Sequence, residues 1–321
     1  MKTDKIDLKI LFELDYNARI PLSTLAKNVS LSKQNTNYRL NRLIKEKIIL
    51  GFVSLIDIHR LGYFTYRAYF RYKNVNAERE QNIINSFNKN KNIIWFVTLL
   101  GSWDLETVFA ARNIIHFNNI LKEIKEEFGE YFSKYNLSAS AVNYHFKKDY
   151  LINKKRDRFN PSYYGFEPKL EQIDELNKTI LKELSINCRQ SNTQIAKKIN
   201  TTYHTVKERI KRLENIGIIQ SHRYLLDINK LQRKYYKATI TLNNPSKIQE
   251  QSILTFCSQY NSVTYLVEVI GEWQLEIEAE VESEEDFTSL LKDVRNKFPA
   301  LITDYTILRI IQEHKLNYYP F

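Results

Sequence analysis

Apolar residues near the start of the chain recur at helical spacing. Ile6, Ile10, Leu11 and Leu14 make one stripe, and Leu176, Ile180, Leu181 and Leu184 make a second of the same form. Each predicts a helix, with Thr3 placed to cap the first. Shorter helices follow at Leu22 to Asn28 and at Asn192 to Lys198. Each carries a small residue, Ala26 or Ala196, that lets helices approach closely. A third helix starts at Ser32 or Thr202, both good N-caps, and buries Thr36, Leu40 and Leu43 or Val206, Ile210 and Leu213. Gly217 suits the residue after the second of these helices, where the first has Lys47. Apolar stretches then run over Ile48–Ile58 and Ile218–Ile228. Three helices, a tight turn before the third and a following strand form a helix-turn-helix pattern.

The period then changes to two. Tyr63–Lys73 and Tyr235–Leu242 alternate as strands do. A helix follows, apolar at Ile83, Ile84 and Phe87 or at Ile253, Leu254 and Phe256. Paired strands meet near Gly101 (Ile93–Leu100, Trp103–Ala111) and near Gly271 (Val263–Ile270, Trp273–Val281). Helices are expected over His116–Phe128 and Glu284–Phe298, the latter started by Ser283 and Asp286 as a capping box. Final strands are expected near Leu137–Phe146 and Thr303–Ile311. The order βαββαβ is the ferredoxin-like arrangement.

These paired readings arise because the sequence repeats with a shift of 170. Asn17 and Arg19 fall on Asn187 and Arg189, Arg39 and Arg42 on Arg209 and Arg212, Gly101 and Trp103 on Gly271 and Trp273, and Leu105-Glu106 on Leu275-Glu276. The duplicated module covers 3–151 and 173–321. The fold class is therefore α+β, two copies of a helix-turn-helix unit followed by a ferredoxin-like domain. The expected divisions are a helix-turn-helix at 1–60, a sheet domain at 61–151, a linker at 152–168, a second helix-turn-helix at 169–230 and a second sheet domain at 231–321. The linker contains KKRDR and Gly165, and Pro168 is placed to start the next helix.

Composition narrows the function. The 321 residues carry a formal charge of +11, and 43% are apolar, enough for packed cores. The charge is uneven: net +5 over 1–60, +3 over 61–151, +2 over 152–168, +5 over 169–230 and −4 over 231–321. Basic helix-turn-helix segments suit a polyanionic partner, since phosphate neutralisation drives most non-specific binding. Only seven glycines are present, and neither GxGxxG nor GxxxxGK occurs, which speaks against a phosphate loop. Cys188 and Cys257 form no CxxC pair and read as buried thiols in a reducing cytoplasm. No metal site and no cofactor are expected. The N-terminus lacks a signal-like apolar core, and the longest dense apolar run, Ile93–Leu100, is too short to span a bilayer, so no membrane partner is expected.

The segments from Ala18 to Gly62 and from Cys188 to Leu231 resemble the DNA-binding half of Lrp/AsnC transcription regulators, on Asn17–Arg19, Leu25-Ala26, Arg39, Arg42-Leu43, Ile48-Ile49 and their counterparts 170 further on. The second half of each copy is similar to that family's effector-sensing (RAM) domain, whose turn reads Gly-x-Tyr/Trp-Asp. Gly101-Ser102-Trp103-Asp104 fits, whereas Gly271-Glu272-Trp273-Gln274 lacks the acid. The resemblance implies a sequence-specific regulator of double-stranded DNA, not an enzyme. It also implies an amino-acid effector held near Gly101, Trp103, Asp104, Gly271 and Trp273. Such proteins pair through their sheets, so this chain is expected to act as an intramolecular pseudo-dimer, its sheets packed face to face, with higher homo-oligomers open to it.

The third helix would lie in the major groove. In the first copy Ser32, Lys33, Gln34, Asn35, Asn37, Tyr38 and Asn41 are candidates for contact; in the second they are Thr202, Tyr203, His204, Lys207 and Lys211. Arg39, Arg42, Arg209 and Arg212 would hold phosphates or tie the third helix to the first. Two rival readings remain. Sirohaem decarboxylases share the layout and use a histidine-bearing stretch after the helix-turn-helix, echoed here by His222-Arg223 and His59-Arg60. No His cluster or paired carboxylates are expected to converge elsewhere. The third reading is a protein-interaction module that no longer binds DNA.

Overall fold

The computed structural model describes residues 3–153, 161–165, 169–319 and 321. The first copy begins with α1 (Lys5–Tyr16), α2 (Leu22–Asn28), α3 (Lys33–Lys45) and β1 (Ile49–Ile56). It continues with β2 (Phe64–Tyr72), α4 (Ala77–Lys89), β3 (Ile93–Leu100), β4 (Leu105–Ala111), α5 (Ile114–Phe128) and β5 (Phe132–His145). A short β6 (Ser162–Gly165) comes from the segment expected to be linker. The second copy has α6 (Glu175–Asn187), α7 (Asn192–Lys198), α8 (Tyr203–Asn215), β7 (Ile219–Leu226) and β8 (Lys234–Leu242). It ends with α9 (Lys247–Ser258), β9 (Val263–Ile270), β10 (Leu275–Val281), α10 (Glu284–Lys297) and β11 (Ile302–Leu316). Each element of the second copy starts 170 residues after its counterpart: Lys5 and Glu175, Lys33 and Tyr203, Phe132 and Ile302.

Local chemistry accounts for the helix ends. The α1 cap is Asp4, not Thr3: its carboxylate accepts from the Ile6 and Asp7 amides at 2.9 Å, and Asp7 accepts from the Asp4 amide at 3.1 Å. Ser32 and Thr202 cap α3 and α8 as expected, and Ser283 with Asp286 forms the capping box of α10. Beyond α8, Gly217 has φ +73°; beyond α3, Lys47 takes the same left-handed turn at φ +54°. The closing bonds are alike, from the Ile48 amide to Leu43 O and from the Ile218 amide to Leu213 O. A side chain in this conformation costs roughly 1–2 kcal/mol, which is why the sequence signal is weaker at Lys47. The α6 cap is Asp174; Pro168, proposed to start that helix, and the KKRDR run lie outside the described residues.

The sheets depart from expectation. Instead of packing as two separate layers face to face, they join edge to edge in a closed antiparallel ring, β2-β4-β3-β11-β8-β10-β9-β5 and back to β2. The final strands make this possible, because they are longer than the alternation suggested. The first part of β5 pairs with β2 of its own copy, from Phe132 to Ala139, and its remainder pairs with β9 of the other copy up to His145. β11 does the same, with β8 up to Ile310 and with β3 from Arg309 to Leu316. A strand outrunning its own sheet leaves unpaired amides, and the other copy's edge satisfies them. Helices α4 and α5 cover the outside of the first sheet over Phe70, Phe87, Phe96 and Phe109, and α9 and α10 cover the second over Ile240, Leu254, Ile277 and Leu291. A third apolar cluster runs from both helix-turn-helix units into the barrel. No helix among the described residues is long and apolar enough to cross a membrane.

Candidate nucleic-acid interface and barrel interior

The two helix-turn-helix units are bound to each other. β1 and β7 pair antiparallel from Ile49–Leu226 to Ile56–Ile219. Arg19 donates to Cys188 O, to Gln190 O at 3.1 Å and to Asn192 Oδ1 at 2.6 Å, and Arg189 answers with Ala18 O at 2.5 Å. The two arginines that marked the repeat therefore clamp one unit to the other.

On α3, Thr36, Leu40 and Leu43 are buried, which leaves Ser32, Lys33, Gln34, Asn35, Asn37, Tyr38 and Asn41 exposed. On α8, Val206, Ile210 and Leu213 are buried, and Thr202, Tyr203, His204, Lys207, Glu208, Lys211 and Arg212 are exposed. Three of the four arginines tie helices together. Arg39 pairs with Asp4 at 2.8 Å and Asp7 at 2.9 Å, Arg42 with Asp7, and Arg209 with Asp174. Arg212 makes no such pair among the described residues and remains exposed.

The turn residues expected near an effector have structural partners. A Cβ on Gly101, at φ +136°, would come within 3.0 Å of Leu308 Cδ2 and 3.1 Å of Ile307 O. One on Gly271 would lie 2.8 Å from Ser138 Cβ. Each turn thus presses on the other copy's final strand, and that close approach selects glycine. Asp104 accepts from the Tyr72 amide at 2.7 Å and from Arg71 at 3.2 Å, and Gln274 accepts from the equivalent Leu242 amide at 2.9 Å. The two positions share an oxygen acceptor, which explains why the acid is dispensable in the second copy. Trp103 and Trp273 are buried beside Tyr69, with ring centroids 6.1 and 5.1 Å away.

The barrel interior is charged, a feature the sequence reading missed when it expected no converging carboxylates. Lys237, wholly buried, lies 2.5 Å from Glu106, 3.0 Å from Glu276 and 2.9 Å from Glu278. Arg67, at the position equivalent to Lys237, lies 2.6 Å from Glu106 and 3.0 Å from Glu276. The Tyr69 hydroxyl is within hydrogen-bond reach of both Glu106 and Glu276. Burial alone would raise the Glu276 carboxyl, but Arg67, Lys237 and hydrogen bonds from Tyr69 and Trp273 more than reverse this and hold it at about 2. His145 is kept neutral by burial and by Arg223, Arg67, Lys147 and Lys148, its pKa pushed well below the usual imidazole value. A signal existed: Leu-Glu-Ile-Glu-Ala-Glu-Val in β10 sets three glutamates at period two, and every residue of that strand is buried. In sequence the same alternation describes a solvated face.

Two further histidines, His222 and His59, have structural partners. His222 bonds Ser54 at 2.8 Å and Glu214 at 2.9 Å, and Arg223 holds Asp15, His145 O and Phe146 O. His59 contacts Thr65 and stacks on Tyr164.

Comparison with known proteins agrees with the first half of this architecture in each copy. Residues 3–49 match a winged helix-turn-helix DNA-binding model, and residues 173–214 match the AsnC-type helix-turn-helix domain. An HTH-type transcriptional regulator of Pyrococcus furiosus is 33% identical over 126 residues, 38% of this chain and 82% of the relative. One from Pyrococcus horikoshii is 26% identical over 144 residues, 44% of this chain and 92% of the relative. Each relative thus corresponds in length to one copy. The crystal structure of the siroheme decarboxylase NirDL superposes with a TM-score of 0.63 at 14% identity, covering 98% of this chain and 93% of that one, a likeness of fold. The chain belongs to the HTH-type transcriptional regulators of the AsnC kind, with two units in one polypeptide.

Proposed function

We propose that the chain reads one asymmetric site on double-stranded DNA, acting as a covalent pseudo-dimer. The observation that carries this is a pair of joined helix-turn-helix units whose third helices expose different polar faces. On α3, Lys33, Gln34, Asn35, Asn37 and Asn41 face out, side chains that pair with adenine or guanine edges. On α8 they are Tyr203, His204, Lys207 and Lys211, with Arg212 free to reach a phosphate. Arg39, Arg42 and Arg209 serve by fixing the angle of each reading helix. A symmetric dimer selects a palindrome; two unlike faces select unlike half-sites.

Selection from random DNA, followed by gel shifts over a salt series, tests this. The expected consensus has two different halves, with affinity falling steeply as salt rises. A palindrome, or no binding at low salt, rejects it. Asn35→Ala is expected to cost about 1–3 kcal/mol at the half read by α3 only, measured as altered base preference there.

A second reading follows from the full-length likeness to the siroheme decarboxylase, namely a tetrapyrrole enzyme. The histidines echoing that activity, His59 and His222, are spent on Thr65, Ser54 and Glu214, so the regulator stands ahead. Tetrapyrrole absorbance in the purified protein would reverse that order.

A further inference from the structure

One groove in the first copy is covered by the chain itself. β6 pairs antiparallel with the outer edge of β5, Gly165 with Val142 and Tyr164 with Asn143. It also lies against the turn Ile58–Leu61, where the Tyr164 ring stacks on His59 at 5.7 Å. Beneath this cover Leu55, Ile56, Asp57, Ile58 and His59 are each at most 3% exposed.

The second copy builds the same groove from β7, the turn Ile228–Leu231 and the edge of β11. The residue types repeat: Leu225, Leu226, Asp227 and Ile228 stand where the first copy has Leu55, Ile56, Asp57 and Ile58. The burial does not repeat. These four are only half-buried, and Asn229, at the His59 position, is exposed. Past Ile310, β11 pairs only with β3 among the described residues, and Ile311, Gln312 and Glu313 are exposed.

The groove encloses about 400 Å³, within the range of ligand pockets. Much of its wall is apolar, from Leu225, Leu226, Ile228, Ile310 and Leu316. Tyr224 on the same wall is 3% exposed, and its hydroxyl makes no hydrogen bond. Its counterpart Ser54 has a partner, His222 at 2.8 Å. A strand edge without a neighbour and a buried hydroxyl without a partner are both met by an extended backbone, whose residues each bring a donor and an acceptor. The ladder of β11 shifts register at Ile311, as that of β5 does at Ala141, and again between Glu313 and Lys315, where β5 does not. A strand added here is therefore held over a shorter run than β6.

We propose that this groove docks an extended peptide segment of a partner protein, added antiparallel to β11 at Ile311–Glu313. The segment carries a bulky aromatic side chain, which sits on Leu226 and Ile228 as Tyr164 sits on the first copy. Main-chain pairing supplies the attachment and the side-chain pocket supplies the selectivity. β6 gives the precedent for both the direction and the side chain. Because β6 already covers the first groove, one peptide binds per chain. The site is separate from α3 and α8, and it does not rest on DNA binding.

The test uses the full chain without DNA and a synthetic peptide of the β6 sequence, acetyl-Pro-Ser-Tyr-Tyr-Gly-amide, at millimolar concentration. Nuclear magnetic resonance titration and amide hydrogen exchange are the readouts. Expected are saturable binding at one site per chain and slowed exchange at residues 311–313, with residues 142–145 unchanged. Alanine in place of the second tyrosine of the peptide should weaken binding at least fivefold, a comparison that needs no protein variant. Asn229→Trp, a change at an exposed position that fills the groove, should abolish binding while circular dichroism stays unchanged. No saturable binding, equal binding of the alanine peptide, or changes confined to residues 142–145 overturns the proposal.

Discussion

At the scale of single residues, the group on which most depends is Lys237. It is buried at 0% exposure against three carboxylates, two of them from its own copy and one from the other. A buried ion pair adds little net stability over apolar packing, but removing one partner strands the rest. Lys237→Met is therefore expected to cost about 3–5 kcal/mol in urea denaturation, because Glu106, Glu276 and Glu278 lose their shared cation. Glu276 sets an acid limit. Its folded pKa, about 2, lies below the ordinary carboxyl value of 4.5, so the folded state prefers the ionised form. Its contribution is complete above pH 4.5 and is lost as pH falls towards 2. Glu276→Gln should flatten the stability curve across that window, measured by melting at stepped pH. None of this was legible in the sequence. Arg67, Glu106, Lys237 and Glu276 sit at strand positions where period two merely alternates polar with apolar. Only the closing of the ring turns their face inward, and that closure involves strands more than 100 residues apart.

At the scale of elements, most was legible. The short helices α2 and α7, the buried stripes of α3 and α8, and the strands β3 and β9 lie where periodicity and capping put them. The misses were β5, β11 and β6. The expected final strands covered the stretches with clear alternation, whereas β5 begins at Phe132 and β11 runs on to Leu316. Their extra length is fixed by pairing with the other copy, which no local pattern records. β6 was hidden because Gly165 and the neighbouring prolines read as breakers, yet the glycine, at φ +99°, lets the strand lie against β5, where a Cβ would meet Ala141 O at 2.2 Å. Gly165→Ala is expected to free β6, at a cost of at least 1–3 kcal/mol. Hydrogen exchange at residues 162–165 and 142–145 should rise together.

At the scale of the whole molecule, the acidic final quarter takes on a new meaning. Part of its net charge of −4 over 231–321 lies inside the molecule, because Glu276, Glu278 and Glu280 are buried in the barrel. The first copy has Glu106, Val108 and Ala110 at the same places, and it supplies Lys148 and Tyr150 to Glu280. Two second copies closing on each other would bring six such glutamates against two Lys237 side chains. The interior thus favours one copy of each kind. Residues 1–153 and 169–321, made separately, are expected to form a 1:1 pair when mixed, while the second alone fails to build a closed barrel. Size exclusion and circular dichroism distinguish these outcomes.

The strand β6 has a further consequence. A dimer of identical subunits is bound to possess its features in even numbers; whatever opens on one side opens on the other. Here a four-residue strand drawn from between the copies covers one edge of β5, while among the described residues nothing covers the matching edge of β11. No rotation of the molecule exchanges the two edges, although both reading units are locked together by β1 and β7. Duplication followed by this small asymmetry gives the chain a front and a back, which a symmetric pair of subunits lacks.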